Sequence, residues 1–161
     1  MKYLIEVSYE GVGKLTLAEE GGKLTDLHFE RSRDIISGDL RREETPLLAE
    51  ARRQLDEYFS GARRSFELPL APQGTPFQLR CWEALRKIPY GTTASYGDIA
   101  RAAGSPKGFR AVGMANNRNP IAIIIPCHRI IGSDGKLVGF GGGLDVKSFL
   151  LRHEAGFLKG E

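Results

Sequence analysis

The apolar residues change their spacing part-way along the chain, and this limits the folds open to it. Over the first 30 residues or so they alternate with polar ones, a period of two that suits half-buried strands. Three strands are expected, over residues 3–9, 12–19 and 23–30, with Gly11, Gly13, Gly21 and Gly22 in the turns of a meander. Leu47, Leu48, Ala51, Leu55, Tyr58 and Phe59 then recur at helical spacing over residues 46–59, between an opening Thr45-Pro46 and a closing Gly61. Such a helix covers one face of the small antiparallel sheet, and residues 65–70 add a further strand. The Pro/Gly-rich stretch LAPQGT follows. The expected division is an α/β domain at 1–70, a linker at 71–75 and a second, mostly α domain at 76–161.

Beyond the linker the period is helical. Phe77, Cys81, Trp82, Leu85 and Ile88 mark a helix over residues 77–87, ended by Pro89-Tyr90-Gly91. Ser95-Tyr96-Gly97-Asp98 has the form of a capping box and opens a short helix that Gly104 stops. Ser105-Pro106 restarts it, Ser as N-cap and Pro at the first helical position, and the second helix runs to about Asn117. Two short helices around a tight turn follow the helix-turn-helix plan. In the second, Gly108, Ala111, Gly113 and Ala115 let its backbone lie close to another surface. That surface is either the protein core or a nucleic-acid groove. The charge pattern favours the groove: between Asp98 and Asp134 there is no acidic residue, while Arg101, Lys107, Arg110, Arg118 and Arg129 are basic. Residues 1–70 carry a net −3 (11 basic, 14 acidic) and residues 71–161 a net +6 (12 basic, 6 acidic).

Ile121–Ile125 reads as a short buried run. A hairpin is expected from residues 129–131 and 136–138 around GSDG, then a glycine-rich loop at 139–143, then a helix over 145–155 capped at Gly156. The loop fits no phosphate-binding pattern, so no nucleotide cofactor is expected. No apolar run approaches the roughly 20 residues that span a bilayer, and the first residues alternate instead of forming a signal-peptide block. With only Cys81 and Cys127 there is no disulfide framework and no multi-cysteine metal site. A soluble protein of a reducing compartment is expected, cytoplasmic, or nuclear in a eukaryote.

Cys127 stands out because it follows an apolar run yet has His128 beside it. Adjacent side chains diverge in regular structure, so contact needs a turn or a bridging water. Glu154, on the last helix, could hold the imidazole in one tautomer. A Cys–His–Glu relay makes a thiolate by passing its proton to the imidazole. The plain alternatives are a buried core cysteine and a solvated glutamate.

Pro126-Cys127-His128-Arg129 resembles the active-site motif of the O6-alkylguanine-DNA alkyltransferases, also called methylated-DNA–protein-cysteine methyltransferases. IPYGTTASYGDIA, SPKGFRAVGMANNRNP and GGLDVKSFLLRHEAG surround it in that family's order and spacing, so the resemblance covers residues 75–157 in four separate blocks. The front of the chain is similar more loosely, to the ribonuclease-H-like α/β domain that precedes this module. The implied back half is a mostly α domain with a winged-helix-like helix-turn-helix.

The resemblance implies DNA repair by direct reversal. The alkyl group of O6-alkylguanine, or O4-alkylthymine, moves irreversibly to Cys127 in a single turnover, after the nucleotide is flipped from the duplex. It implies that His128 activates the thiol through a water, that Glu154 orients His128, that Tyr96 donates to the purine and that Asn119 braces the turn of Cys127. Arg110 fills the vacated stack. Ser95, Lys107, Gly108, Ala111, Arg118 and Arg129 belong to the DNA surface, and Ile130, Phe140 and Gly141 to the substrate pocket. The implied partner is double-stranded DNA carrying the lesion, held through the minor groove by a monomer, with no cofactor, metal or membrane.

The chain also departs from the family pattern. The cysteines with which some members bind zinc are missing, Phe140 replaces a frequent tyrosine, and Gly141 replaces a frequent serine. Three rivals remain: a DNA-binding relative that recognises alkylated bases without repair, a cysteine hydrolase, and a regulator using the helix-turn-helix alone.

Overall fold

The computed structural model describes residues 1–30, 32, 36–137 and 140–159. The alternating front of the chain forms strands β1 (Lys2–Tyr9), β2 (Gly13–Glu20) and β3 (Lys23–Phe29), joined as antiparallel neighbours. Gly21 and Gly22, at φ 62° and 79°, make the two-residue turn between β2 and β3, where a side chain would be strained. A fourth strand, β4 (Leu40–Arg42), pairs in parallel with β1, giving the order β3-β2-β1-β4. All three residues of β4 are exposed, so no alternation marked it in the sequence.

Helix α1 (Pro46–Ser60) packs Leu48, Ala51, Leu55 and Tyr58 against the sheet. Thr45 caps it by accepting the Leu48 N–H at 3.2 Å, and Gly61 ends it at φ 87°. The strand expected at residues 65–70 does not form. Among these residues only Leu70 bridges, to Leu24, through Leu24 N–H to Pro69 O (2.9 Å) and Ala71 N–H to Leu24 O (2.8 Å). Pro69 has no N–H to lengthen the ladder.

Helix α2 (Pro76–Arg86) opens on a capping box at Thr75 and Gln78. Its Trp82 donates Nε1–H to Ala115 O at 2.8 Å, which ties α2 to α4. Two-residue strand β5 (Ala94–Ser95) leads into α3 (Tyr96–Ala102). Ser95 and Asp98 cap α3 reciprocally, at 3.1 and 2.9 Å. Helix α4 (Phe109–Asn117) starts later than the sequence suggests. Ser105 is not its N-cap: residues 105–108 form a turn closed by Gly108 N–H to Ser105 O at 2.8 Å. Proline suits the second position of a β-turn as well as the first of a helix, and Gly108 does nothing to extend a helix backwards through it.

The expected hairpin after Cys127 is also replaced. Strand β6 (Ile130–Ile131) pairs in parallel with β5, and Gly132 N–H to Lys136 O (2.9 Å) closes a turn after which Lys136 and Leu137 form no strand. Val138 and Gly139 lie outside the described residues. Helix α5 (Leu144–Lys159) runs through Gly156 instead of stopping there. Tertiary packing carries it onward. Phe157 covers Gly61 so closely that a Cβ there would meet the ring at 2.1 Å, and Leu158 covers Gly91.

The buried residues of front and back make one continuous cluster. On the free edge of β3, Leu27 N–H donates to Pro120 O at 2.8 Å and Leu27 O accepts Ala122 N–H at 3.0 Å. The segment that leads to Cys127 is thereby tied to the sheet.

Candidate active site and nucleic-acid face

The run Ile121–Ile125 is a tight buried loop held by two asparagines. Asn119 Nδ2 donates to Ile125 O at 2.8 Å, and Asn119 Oδ1 accepts the Ile121 N–H at 3.0 Å. Asn116 Nδ2 reaches Cys127 O at 3.5 Å. Inside the loop Ile123 sits at φ 71°, a left-handed backbone that costs a β-branched residue about 1–3 kcal/mol. Cys127, His128 and Arg129 then form one 3₁₀ turn.

Cys127 is 5% exposed and opens on a cavity lined by Phe29, Asn116, Asn119, Phe140 and Gly141. Phe140 packs against Phe29 at 5.4 Å, and Gly142 lies so close to Phe29 that a Cβ would come within 2.7 Å of the ring. Ile130, expected in the pocket, is instead fully buried in the core and does not line this cavity. Its strand pairing with Ala94 turns the chain away from the cysteine.

His128 is completely buried. Its Nε2 lies 2.7 Å from Glu154 Oε2, and Nδ1 has no hydrogen-bond partner among the described residues. Burial pulls the imidazole below its usual range, and Glu154 offsets part of this. Burial would push the Glu154 carboxyl up, but the hydrogen bonds and charges of His128 and Arg129 outweigh it and hold the group far below the carboxylate range. Glu154 is therefore the ionised partner, while burial favours the neutral form of His128. An ionised carboxylate only accepts, so Nε2 carries the hydrogen and Nδ1 is the lone pair able to receive a proton.

Arg129, expected on the DNA surface, does not lie on the exposed face with the other basic residues. It is buried, with Nε at 2.9 Å from Glu154 Oε1, Nη2 at 3.0 Å from Oε2 and Nη1 at 2.7 Å from Ile88 O. Bonded within the protein at all three of its nitrogens, the guanidinium stabilises the buried Glu154 carboxylate. The remaining residues assigned to the surface lie outward. Lys107, Arg110, Ala111 and Arg118 are exposed, Gly108 and Ser95 half-exposed, with the Ser95 hydroxyl occupied in its cap. Tyr96 stands between this face and the cysteine. It shares a groove with Arg110 and Gly113, and burial followed by the Cys127 charge raises its phenol, so its hydroxyl stays a donor.

One family model, the 6-O-methylguanine DNA methyltransferase DNA binding domain, matches residues 76–156, and a second, the ribonuclease-like domain of the same proteins, matches residues 10–72. The chain belongs to the 6-O-methylguanine DNA methyltransferase family. Among relatives, the methylated-DNA–protein-cysteine methyltransferase of Methanosarcina barkeri is 53% identical over 150 residues, 92% of this chain and 94% of that one. The constitutive enzyme of that name from Bacillus subtilis is 47% identical over 149 residues, 89% of this chain and 90% of its own. The crystal structure of Mycobacterium tuberculosis OGT in complex with DNA superposes with a TM-score of 0.86 at 43% identity, covering 97% of this chain and 93% of that one. The small sheet with its helix, followed by a helical part with a helix-turn-helix, is the architecture of this methyltransferase family.

Two residues of the site were not read from the sequence. Lys147 is fully buried, with Nζ 6.0 Å from the Phe140 ring, and the Cys127 charge acts on its ammonium against the effect of burial. Tyr58 donates to Glu154 Oε2 at 2.7 Å. The signal was available for both. Lys147, Leu150 and Glu154 follow one another at helical spacing on a buried stripe of α5, and Tyr58 ends the buried stripe of α1.

Proposed function

We propose that the protein repairs alkylated DNA by moving the alkyl group of O6-alkylguanine, and of O4-alkylthymine, onto Cys127, once per chain and irreversibly. The observation that carries this reading is the position of Cys127: it faces a small cavity, next in the chain to a buried imidazole held by a carboxylate, and close to the acid-free face of α4. The thiol proton passes to His128 Nδ1, directly or through a water. The thiolate attacks the alkyl carbon, an S–C bond forms as the C–O6 bond breaks, and the electron pair goes to the guanine, whose charge Tyr96 meets with its hydroxyl. The substrate supplies the transferred group, so the reaction needs no cofactor. Asn119 holds the loop that aims the sulfur. Phe140 and Gly141 wall the pocket, and Gly141 offers a backbone N–H where a side-chain hydroxyl is absent. Lys107, Arg110 and Arg118, with the close-fitting Gly108 and Ala111, hold the duplex as a monomer in the cytoplasm. Among the described residues no helix is long and apolar enough to cross a membrane.

The test is to follow labelled methyl from a short duplex with one O6-methylguanine. The label is expected on the protein, in the tryptic peptide of residues 119–129, which contains Cys127 and not Cys81. Label released to solvent as methanol would mark a hydrolase and overturn the reading.

Arg110 supplies a second check. It is exposed on α4, beside the groove that leads to Tyr96. Its side chain fills the space of the flipped nucleotide, which offsets the few kcal/mol lost in unstacking. Arg110→Ala is therefore expected to slow repair of duplex tenfold or more, by a rough conversion of about 1.4 kcal/mol per decade. Transfer from free O6-benzylguanine should change little. Equal losses on both substrates would remove Arg110 from the flipping role.

A further inference from the structure

Glu154 receives more hydrogen bonds than the orientation of one imidazole requires. Oε2 takes the Tyr58 hydroxyl at 2.7 Å, His128 Nε2 at 2.7 Å and Arg129 Nη2 at 3.0 Å. Oε1 takes Arg129 Nε at 2.9 Å and the Gly91 N–H at 3.2 Å. A carboxylate offers about four lone-pair directions, so these donors compete for its charge, and Tyr58 competes with His128 for the same oxygen. Tyr58 comes from α1, 96 residues before Glu154, and both side chains are buried, at 0% and 1% exposure. Its ring is fixed among Phe59, Phe66, Tyr90 and His153, with centroids 5.0–6.2 Å away, and His153 Nε2 lies 2.8 Å from its carbonyl. The hydroxyl is thus aimed by packing and not by chance rotation.

We propose that Tyr58 is a positioning residue of alkyl transfer: by sharing Glu154 Oε2 with His128, its hydroxyl limits how strongly the carboxylate holds an imidazolium and so sets the basicity of His128. This rests on the reading of Cys127, His128 and Glu154 as one relay. Each donor on an anionic oxygen draws charge away from the others. With Tyr58 in place, His128 stays neutral to lower pH and keeps Nδ1 ready for the thiol proton. Without the hydroxyl, Oε2 gives more to His128, the imidazolium is stabilised, and the ring protonates at higher pH. The other charged and titratable groups facing this cluster are Arg129 on both carboxylate oxygens, Lys147 and Cys127 on the side of His128, and Tyr90 and His153 beside Tyr58. All of them persist in Tyr58→Phe, which removes one oxygen and keeps the ring. The front segment of the chain therefore reaches into the chemistry of the back.

The experiment is the single-turnover rate on methylated duplex across pH for the wild type, Tyr58→Phe and His128→Ala, with melting curves to show that each is folded. In Tyr58→Phe the acid limb is expected to move to higher pH by about half to one unit, which is about three- to tenfold in rate on that limb. The alkaline plateau should change less. Placing 3-fluorotyrosine at position 58, a stronger donor, should move the limb to lower pH, and gives an independent result if Tyr58→Phe folds poorly. A limb that stays in place in both variants, whether the rate falls uniformly or not at all, would overturn the proposal and leave Tyr58 a packing residue. His128→Ala separates the two levels. If it leaves the pH profile unaltered, the relay itself is wrong. If it removes the acid limb while the position-58 variants leave that limb unmoved, only the role of Tyr58 fails.

Discussion

Cys127→Ala is expected to abolish alkyl transfer while the chain continues to bind methylated duplex. Two cysteines are present, and their surroundings differ. Cys81 is 1% exposed on α2, where burial raises its thiol and the Arg80 charge offsets only part of this. It has no imidazole beside it in the chain and lines no part of the Cys127 cavity. Cys127 has both. The bonds that hold its turn use its backbone, Cys127 N–H to Ile125 O at 2.8 Å and Asn116 to Cys127 O, so alanine keeps them. The exposed face of α4 is untouched. Intact-protein mass after incubation with excess methylated duplex should therefore rise by one methylene in the wild type and in Cys81→Ala, and by nothing in Cys127→Ala. A gel shift should show the same DNA binding for all three. A second methylene on the wild type, or any gain in Cys127→Ala, would point to another acceptor. Methyl lost from DNA over many equivalents, with no gain in protein mass, would mean turnover.

The second large effect concerns the relay. In the proposed relay, His128→Ala removes the proton acceptor, and Glu154→Gln replaces the carboxylate that stabilises the imidazolium. Each is expected to slow transfer by about a hundredfold or more, the usual worth of a positioned acid–base group. The double variant should be at most a few-fold worse than either single, because Glu154 acts on the sulfur only through His128, at 2.7 Å. One complication is physical. Glu154→Gln also leaves the Arg129 guanidinium buried without its counter-charge, at a cost of about 3–5 kcal/mol. Rates must therefore be compared below the melting temperature of each variant. If the losses of the two single variants multiply in the double, the residues act independently and the relay is wrong. If neither slows transfer, another group makes the thiolate, and Lys147, on whose ammonium the Cys127 charge acts, is the cation to consider.

The parts of the fold legible in the sequence are those with local causes. Alternation and paired glycines located β1, β2 and β3, and the Thr45 and Ser95 caps located the starts of α1 and α3. What failed depended on distant partners. Strand β4 exists because β1 offers it an edge, β6 pairs with β5 some way back in the chain, and α5 crosses Gly156 because Phe157 and Leu158 have glycines to pack on. The site divides in the same way. Cys127, His128 and Glu154 carry recognisable motifs, and the structure brings Glu154 to His128. Arg129 and Ile130 were misplaced because neighbouring positions in a 3₁₀ turn and a short strand point in different directions, which adjacency in sequence hides. Tyr58 and Lys147 looked like ordinary members of helix stripes, since burial is visible from spacing while the identity of a distant partner is not.

The left-handed Ile123, locked between the two hydrogen bonds of Asn119, bears on how such a protein is allowed to move. A catalyst that cycles must loosen its grip on product, and many pay for that with a site able to breathe. A chain that ends its work with the product bonded to its own sulfur has no release step to keep open. Rigidity around Cys127 therefore carries no penalty in throughput, and a strained, tightly tied loop is tolerable there in a way it would not be beneath the lid of an enzyme that reacts again and again.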